Sequence, residues 1–285
     1  MFKKILVPVS SEFYSKDVLR RCIFLADTFK STVHLIYVIE EKTLYQTSRR
    51  SDVHRTHYAR TETEHDIMDK QMQAADDIVF EDAKMLFEQK KIPFDHKVIK
   101  GEFSVVVSSE LEKEQYDIIV MGYERGCMIN YRLLDNVDVP IWIETGGHHN
   151  SILAVCSNLA PNQKVPDLSR RLAQALDWDL HMLYVTDMED TVEVDVNGER
   201  SERKPKRDLL FTGQTFVEDM GQKGIDVQTV QGSLEHETIK AAQSVEAGLV
   251  IIGREQKKRG KFGLPVRKLK QKMADRCKYS ILFVK

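Results

Sequence analysis

Apolar residues along the 285-residue chain fall into two alternating patterns. Short, nearly unbroken apolar runs at 5–9, 33–39, 96–99, 118–121 and 140–143 predict strands in the first half. Between them the period changes to that of a helix. Val18, Cys22, Leu25 and Phe29 share one face, and further helices are predicted near 64–89 and 104–114. The second half repeats this order, with strands at 152–156, 180–185, 227–230, 249–252 and 281–284. Its helices are predicted at 168–176, 208–220, 235–245 and 266–277. Strands that are apolar throughout, separated by helices, imply a parallel sheet covered on both faces.

The repetition extends to individual residues. VHLIYV at 33–38 returns as LHMLYV at 180–185, and KKILV at 3–7 returns as NSILA at 150–154. DIIVMG at 117–122 returns as GLVIIG at 248–253, and the first helices share an arginine pair, Arg20-Arg21 and Arg170-Arg171. A repeat of this length exceeds the roughly 20–50 residues of a solenoid unit. It predicts two tandem domains, 1–146 and 150–285, joined at a short glycine-rich junction around Gly146-Gly147. Two inserts depart from the shared plan. One is a polar stretch over 40–64, containing Arg49-Arg50. The other is a segment over 190–205, in which Val192 to Asn197 alternates before an Asn197-Gly198 turn of hairpin type.

Composition narrows the class only slightly. The hydrophobic fraction of 42% and the charged fraction of 30% suit a soluble protein. No run reaches the roughly 18 apolar residues of a membrane span, and the N-terminal apolar burst is too short for a signal peptide. Cys22, Cys127, Cys156 and Cys277 are scattered without a disulfide or zinc spacing, so a reduced cytoplasmic setting is expected. His54, His57 and His65 have no spacing that fixes a metal geometry. His34 and His181, inside strands, are expected to be satisfied core histidines. Cys127, beside Arg125, is more simply an inert thiol than a sensor. No P-loop, paired carboxylate motif or Ser-His-Asp order is present, so no catalytic residue is assigned.

The KILVPV first strand, VHLIYV second strand and DIIVMG fourth strand, in that order and twice over, resemble the universal stress protein family. The resemblance covers nearly the whole chain. It implies two five-stranded, Rossmann-like α/β domains of the adenine nucleotide alpha hydrolase type, paired through their fifth strands and able to form a homodimer. Many members bind ATP with an Asp after the first strand, a small apolar residue ending the second, and a G-x2-G-x9-G-[ST] loop after the fourth. Such a loop turns backbone N–H groups toward phosphate.

Compared position by position, the two copies differ. Ser10 and Ser157 stand where the Asp is expected, and Val38 and Val185 match the apolar position. Gly122 and Ile141 are 19 positions apart, whereas Gly253 and Ile281 are 28 apart. The first copy, with Gly122 and Gly126, is therefore short by about one glycine loop and is not expected to hold a nucleotide. The second keeps the length but has Gly253, Gly260 and Gly263 at different spacing, with Arg267-Lys268 in place of the terminal Gly-Ser pair. From Arg254 to Lys278 there are eleven Lys or Arg and two acids. Ser157, Val185, Gly253, Gly260, Gly263, Arg267 and Lys268 thus outline a candidate site for ATP or another phosphate ligand in the second domain. The bland alternative is a solvated basic face over a stripe formed by Val266, Leu269, Met273 and Cys277.

The function expected from the resemblance is stress-related regulation by binding an unidentified protein partner, without turnover, with no resident cofactor and no membrane. Two alternatives stand beside it. One is a nucleotide-binding protein using the basic loop, with at most slow hydrolysis. The other is an adaptor for an acidic protein or a nucleic acid. Phe262 and Tyr279 are the only aromatics near the basic run, which weighs against base stacking.

Overall fold

A computed structural model describes residues 1–10, 15–40, 69–70, 73, 80–122, 133, 137–147, 149–197, 199–254 and 279–285. Two compact units divide the chain, Met1–Val137 and Asp138–Lys285.

The first unit holds β1 (Lys4–Val9), α1 (Lys16–Phe29), β2 (Thr32–Ile39), α2 (Glu81–Gln89), β3 (Phe94–Lys100), α3 (Phe103–Lys113) and β4 (Ile118–Gly122). Its strands are parallel in the order β3-β2-β1-β4. Helix α1 begins at Ser15, whose hydroxyl accepts from the Asp17 amide at 3.2 Å, and ends at Lys30 in the left-handed region. Its Val18, Leu19, Cys22, Leu25, Ala26 and Phe29 are buried, the face expected from the helical period. Burying each such Val or Leu contributes about 1.5–3 kcal/mol. Asp117, just ahead of β4, accepts the Lys3 and Lys4 amides at 2.7 and 3.0 Å and ties down the start of β1.

The second unit comprises β5 (Ile141–Glu144), β6 (Ser151–Ser157), α4 (Val165–Leu176), β7 (Asp179–Asp187), α5 (Lys206–Gln222), β8 (Gln228–Gly232), α6 (Leu234–Ser244), β9 (Leu249–Gly253) and β10 (Ser280–Val284). Strands β10, β9, β6, β7 and β8 are parallel in that order, and β5 pairs antiparallel with β10. Among the described residues, four strands therefore fall in Met1–Val137 and six in Asp138–Lys285. β5, the fifth strand of the first copy, belongs with the second unit. Its pairing is locked by Glu144, which is buried and accepts from Trp142 Nε1 at 2.9 Å, the Gly146 amide at 2.9 Å and the Ser280 hydroxyl at 3.0 Å.

The repeated arginines have repeated roles. Arg20 pairs with Asp17, while Arg170 and Arg171 pair with Asp167, both acids lying in the first turn of their helix. The histidines diverge. His34 is largely buried, with Nδ1 2.9 Å from an Asp95 carboxylate oxygen, whereas His181 is exposed on β7 and is no core residue. The segment over 190–205 folds back on itself through an antiparallel bridge, Val194 to Arg200, with the Ser201 amide donating to the Glu193 carbonyl at 2.8 Å and the Lys204 amide to the Thr191 carbonyl at 2.7 Å. The Asp195 carboxylate takes up the Asn197 and Glu199 amides, at 2.9 and 2.8 Å, and closes the turn. The predicted helix at 266–277, most of 64–80 and the histidines at 54, 57 and 65 lie outside the described residues.

Candidate functional site

In an open parallel sheet, ligands settle at the carboxyl ends of the strands. In the second unit, Ser157 ends β6 and is the register partner of Val185 on β7, while Gly253 ends β9. Sequence reasoning placed these three around one site, and the fold gathers them at that edge. Gly260, Gly263, Arg267 and Lys268 lie outside the described residues. In the first unit, Ser10, Val38 and Gly122 fall at the corresponding ends of β1, β2 and β4 and are all buried, while Gly126 lies outside the described residues.

Ser157 and Val185 are fully buried, and the chain's own polar groups occupy the serine. The Ser157 hydroxyl accepts from the Leu159 amide at 3.1 Å and donates to Asn158 Oδ1 at 3.4 Å. Its backbone exchanges two bonds with the Asn162 side chain, at 3.0 and 2.9 Å. The loop after β6 is therefore folded on itself.

Asn158, which sequence reasoning missed, holds that loop to the insert. Its Nδ2 donates to the Val192 carbonyl at 2.8 Å, its Oδ1 accepts from the Asp187 amide at 2.7 Å, and its carbonyl accepts from the Val194 amide at 2.8 Å. Val192 and Val194 are buried as a result. Farther along the insert, Arg200 pairs with Asp190 at 2.6 Å, and Lys204 pairs with Glu193. Burial pushes the Glu193 carboxyl up, but the hydrogen bonds from Lys204 and Thr212, with the Lys204 charge, outweigh it and hold the group below its ordinary value.

Asp187 was also missed. It puts a buried carboxylate at the tip of β7, two residues beyond Val185. Its Oδ1 accepts from the Glu189 and Asp190 amides, both at 2.9 Å, and its Oδ2 accepts from the Leu234 amide at the start of α6 at 2.7 Å. The helix N-terminus that could attract an anion is thus already capped by this acid.

Gly253 serves close packing. A Cβ built on it would lie 1.9 Å from the Pro161 carbonyl oxygen, so the loop after β6 rests directly on the end of β9. Arg254, the first cation of the basic run, is buried and donates to the Val139 carbonyl at 3.4 Å. Beneath this edge, burial pushes the Cys156 thiol well up, which leaves it a packing residue. Among the described residues no group of three or more His, Cys, Asp or Glu is placed to hold a metal, and no helix is long and apolar enough to cross a membrane.

Residues 1–137 match the family model described as the universal stress protein family. No curated protein matches the chain. Among solved structures, a Pseudomonas aeruginosa UCBPP-PA14 protein is similar at 13% identity and a TM-score of 0.67, covering 100% of this chain and 93% of that one. A universal stress protein from Archaeoglobus fulgidus DSM 4304 is similar at 13% identity and a TM-score of 0.66, with 99% and 98% covered. A functionally unknown protein from Pseudomonas aeruginosa PAO1 matches at 12% identity and 0.66, with 100% and 92% covered. At such identities the likeness concerns the fold. Residues 1–137 thus carry a universal stress protein family domain, and the second unit follows the same α/β plan.

Proposed function

We propose that this chain acts in the cytoplasm as a regulatory binding protein of the universal stress type, without turnover, and that its second unit does not hold ATP in the family manner. One observation carries the reading: the groups at the tips of β6 and β7 bond to the chain itself. The Ser157 hydroxyl is committed to Leu159 and Asn158, Asn158 fastens the insert across the edge, and the Asp187 carboxylate caps α6. A nucleotide entering there would have to break these bonds. Each displaced buried group left unpaired would cost about 1–3 kcal/mol. The output is then a protein contact, either between two copies of this chain or with another protein.

The test is calorimetric titration and thermal shift of the full chain with magnesium ATP up to millimolar concentration. Neither saturable heat nor a shift is expected. Saturable binding that disappears in Ser157→Ala would overturn the reading. Binding that survives in Ser157→Ala but disappears in the paired Arg267→Ala and Lys268→Ala variant would move the ligand to the basic run.

A further inference from the structure

Among the described residues β8 pairs with β7 alone and closes one side of the second unit's sheet. The Gly232 carbonyl accepts from the Met188 amide, just past β7, at 3.3 Å, so the backbone groups of Gly232 point toward β7. Successive residues of a strand aim these groups to opposite sides. Gln228, Val230 and Gly232 therefore face β7, while the N–H and C=O groups of Thr229 and Gln231 face outward. No turn, loop or side chain among the described residues bonds to them. Gln228, Thr229 and Gln231 are exposed, and Val230 is half-buried. An open ladder of this kind is normally guarded by charge or proline. β3, the end strand of the first unit, carries Asp95, Lys97 and Lys100 in its seven residues. β8 has neither a charged residue nor a proline in its five.

The missing guard also selects the occupant. Two copies of one strand that pair antiparallel about a two-fold axis set the residue at the axis against itself. At the middle of β3 that residue would be Lys97, and like charges placed opposite each other destabilise a pair. At the middle of β8 it is Val230, a β-branched side chain suited to packing across strands. With the axis there, Thr229 lies opposite Gln231 of the second copy, and Gln231 opposite its Thr229. These are the outward-facing residues, so each such pair exchanges two hydrogen bonds. Gln228 falls opposite Gly232, which leaves room for its side chain.

We propose that β8 is a self-association edge, to which a second copy of this chain adds its own β8 antiparallel, centred on Val230. The inference rests on the proposed function in taking a protein contact as the output, and it names the partner. Val230→Cys in the full chain tests the register under mild oxidation. At the axis the two Cα atoms stand about 4.5 Å apart, a separation that a disulfide can bridge. A dimer linked through position 230, mapped by mass spectrometry of its digest, is expected, and Gln228→Cys, opposite a glycine, should give no such link. In sedimentation velocity the parent should dimerise as its concentration rises. Thr229→Pro removes one outward N–H from each copy and none that β7 uses, so the fold is kept. Association should weaken about tenfold or more through the loss of two hydrogen bonds. If the circular dichroism of that variant changes, Val230→Lys, which sets two ammonium groups against each other, takes its place. A parent that stays monomeric, a dimer that survives the folded variant, or equal linking in Val230→Cys and Gln228→Cys would each overturn the proposal. A monomeric parent would leave another protein as the partner in the proposed function. Saturable magnesium ATP binding would instead overturn that function and leave the cross-link in place.

Discussion

Asn158→Ala offers the sharpest test of how the second unit closes its strand edge. The side chain makes two short bonds to groups far away in sequence, donating to the Val192 carbonyl at 2.8 Å and accepting from the Asp187 amide at 2.7 Å. Its longer contact to the Asp190 carbonyl, at 3.4 Å, adds little. Alanine leaves both backbone groups without their partner. Each unpaired buried group costs about 1–3 kcal/mol, and partial access of water to one of them brings the sum to about 2–4 kcal/mol. The chain has two tryptophans, Trp142 and Trp178, and both lie in the second unit, so urea unfolding followed by tryptophan fluorescence reports that unit. The expected result is a midpoint shift equivalent to about 2–4 kcal/mol. Faster hydrogen exchange of the amides over 187–200 should accompany it. Asn158→Asp keeps the acceptor but puts a carboxylate next to Asp187. Burial and the neighbouring acid raise the introduced group's pKa on folding, so its penalty should be full at neutral pH and shrink as the pH falls and the group protonates. A loss below about 0.5 kcal/mol for Asn158→Ala, or unchanged exchange over 187–200, would refute the idea that this asparagine fastens the insert.

Two further outcomes follow from neighbouring contacts. Gly253→Ala places a methyl 1.9 Å from the Pro161 carbonyl oxygen, a backbone atom, so the loop after β6 must move; a loss of about 1–3 kcal/mol or more is expected in thermal or urea unfolding, and a neutral change would contradict the close approach. The Glu193 pKa lies below its unfolded value, so its contribution is present above the ordinary glutamate pKa and lost as acid titrates it through the lower folded value. Glu193→Gln should therefore flatten the acid limb of a stability–pH profile, and an acid limb as steep as that of the parent would rule out that linkage.

How much of this was legible beforehand differs from element to element. The central strands β1, β4, β6 and β9 are almost entirely buried, so their apolar runs announced them directly. The edge strands β3 and β8 carry mostly exposed or half-exposed residues, and their hydrogen-bonded length runs past the apolar signal, to Lys100 and Gly232. Strand direction is another matter. An apolar run such as Ile141–Glu144 has the same pattern whether its neighbour is parallel or antiparallel, so the antiparallel partnership with β10 had to be observed. Asn158 was invisible for a related reason. Its worth depends on where a carbonyl 34 residues later comes to rest, and no local pattern encodes that. The aspartate missing after β6 was noticed in the sequence, but its counterpart at the tip of β7 was not, because Asp187 becomes meaningful only once α6 begins beside it.

The partnership of β5 with β10 separates two boundaries that usually coincide. The duplicated text ends after the fifth strand, near the glycine-rich junction, but the folding unit begins before that strand, at Asp138. A fragment cut where the text repeats, starting at 150, would leave one side of β10 bare, an open ladder ready to recruit strands from other molecules. It would also remove Trp142 and Glu144, leaving the Ser280 hydroxyl without the carboxylate it serves. A fragment cut twelve residues earlier keeps that side covered. The repeat boundary and the unit boundary therefore differ by one strand, and a fragment meant to keep β10 paired on both sides must begin no later than Asp138.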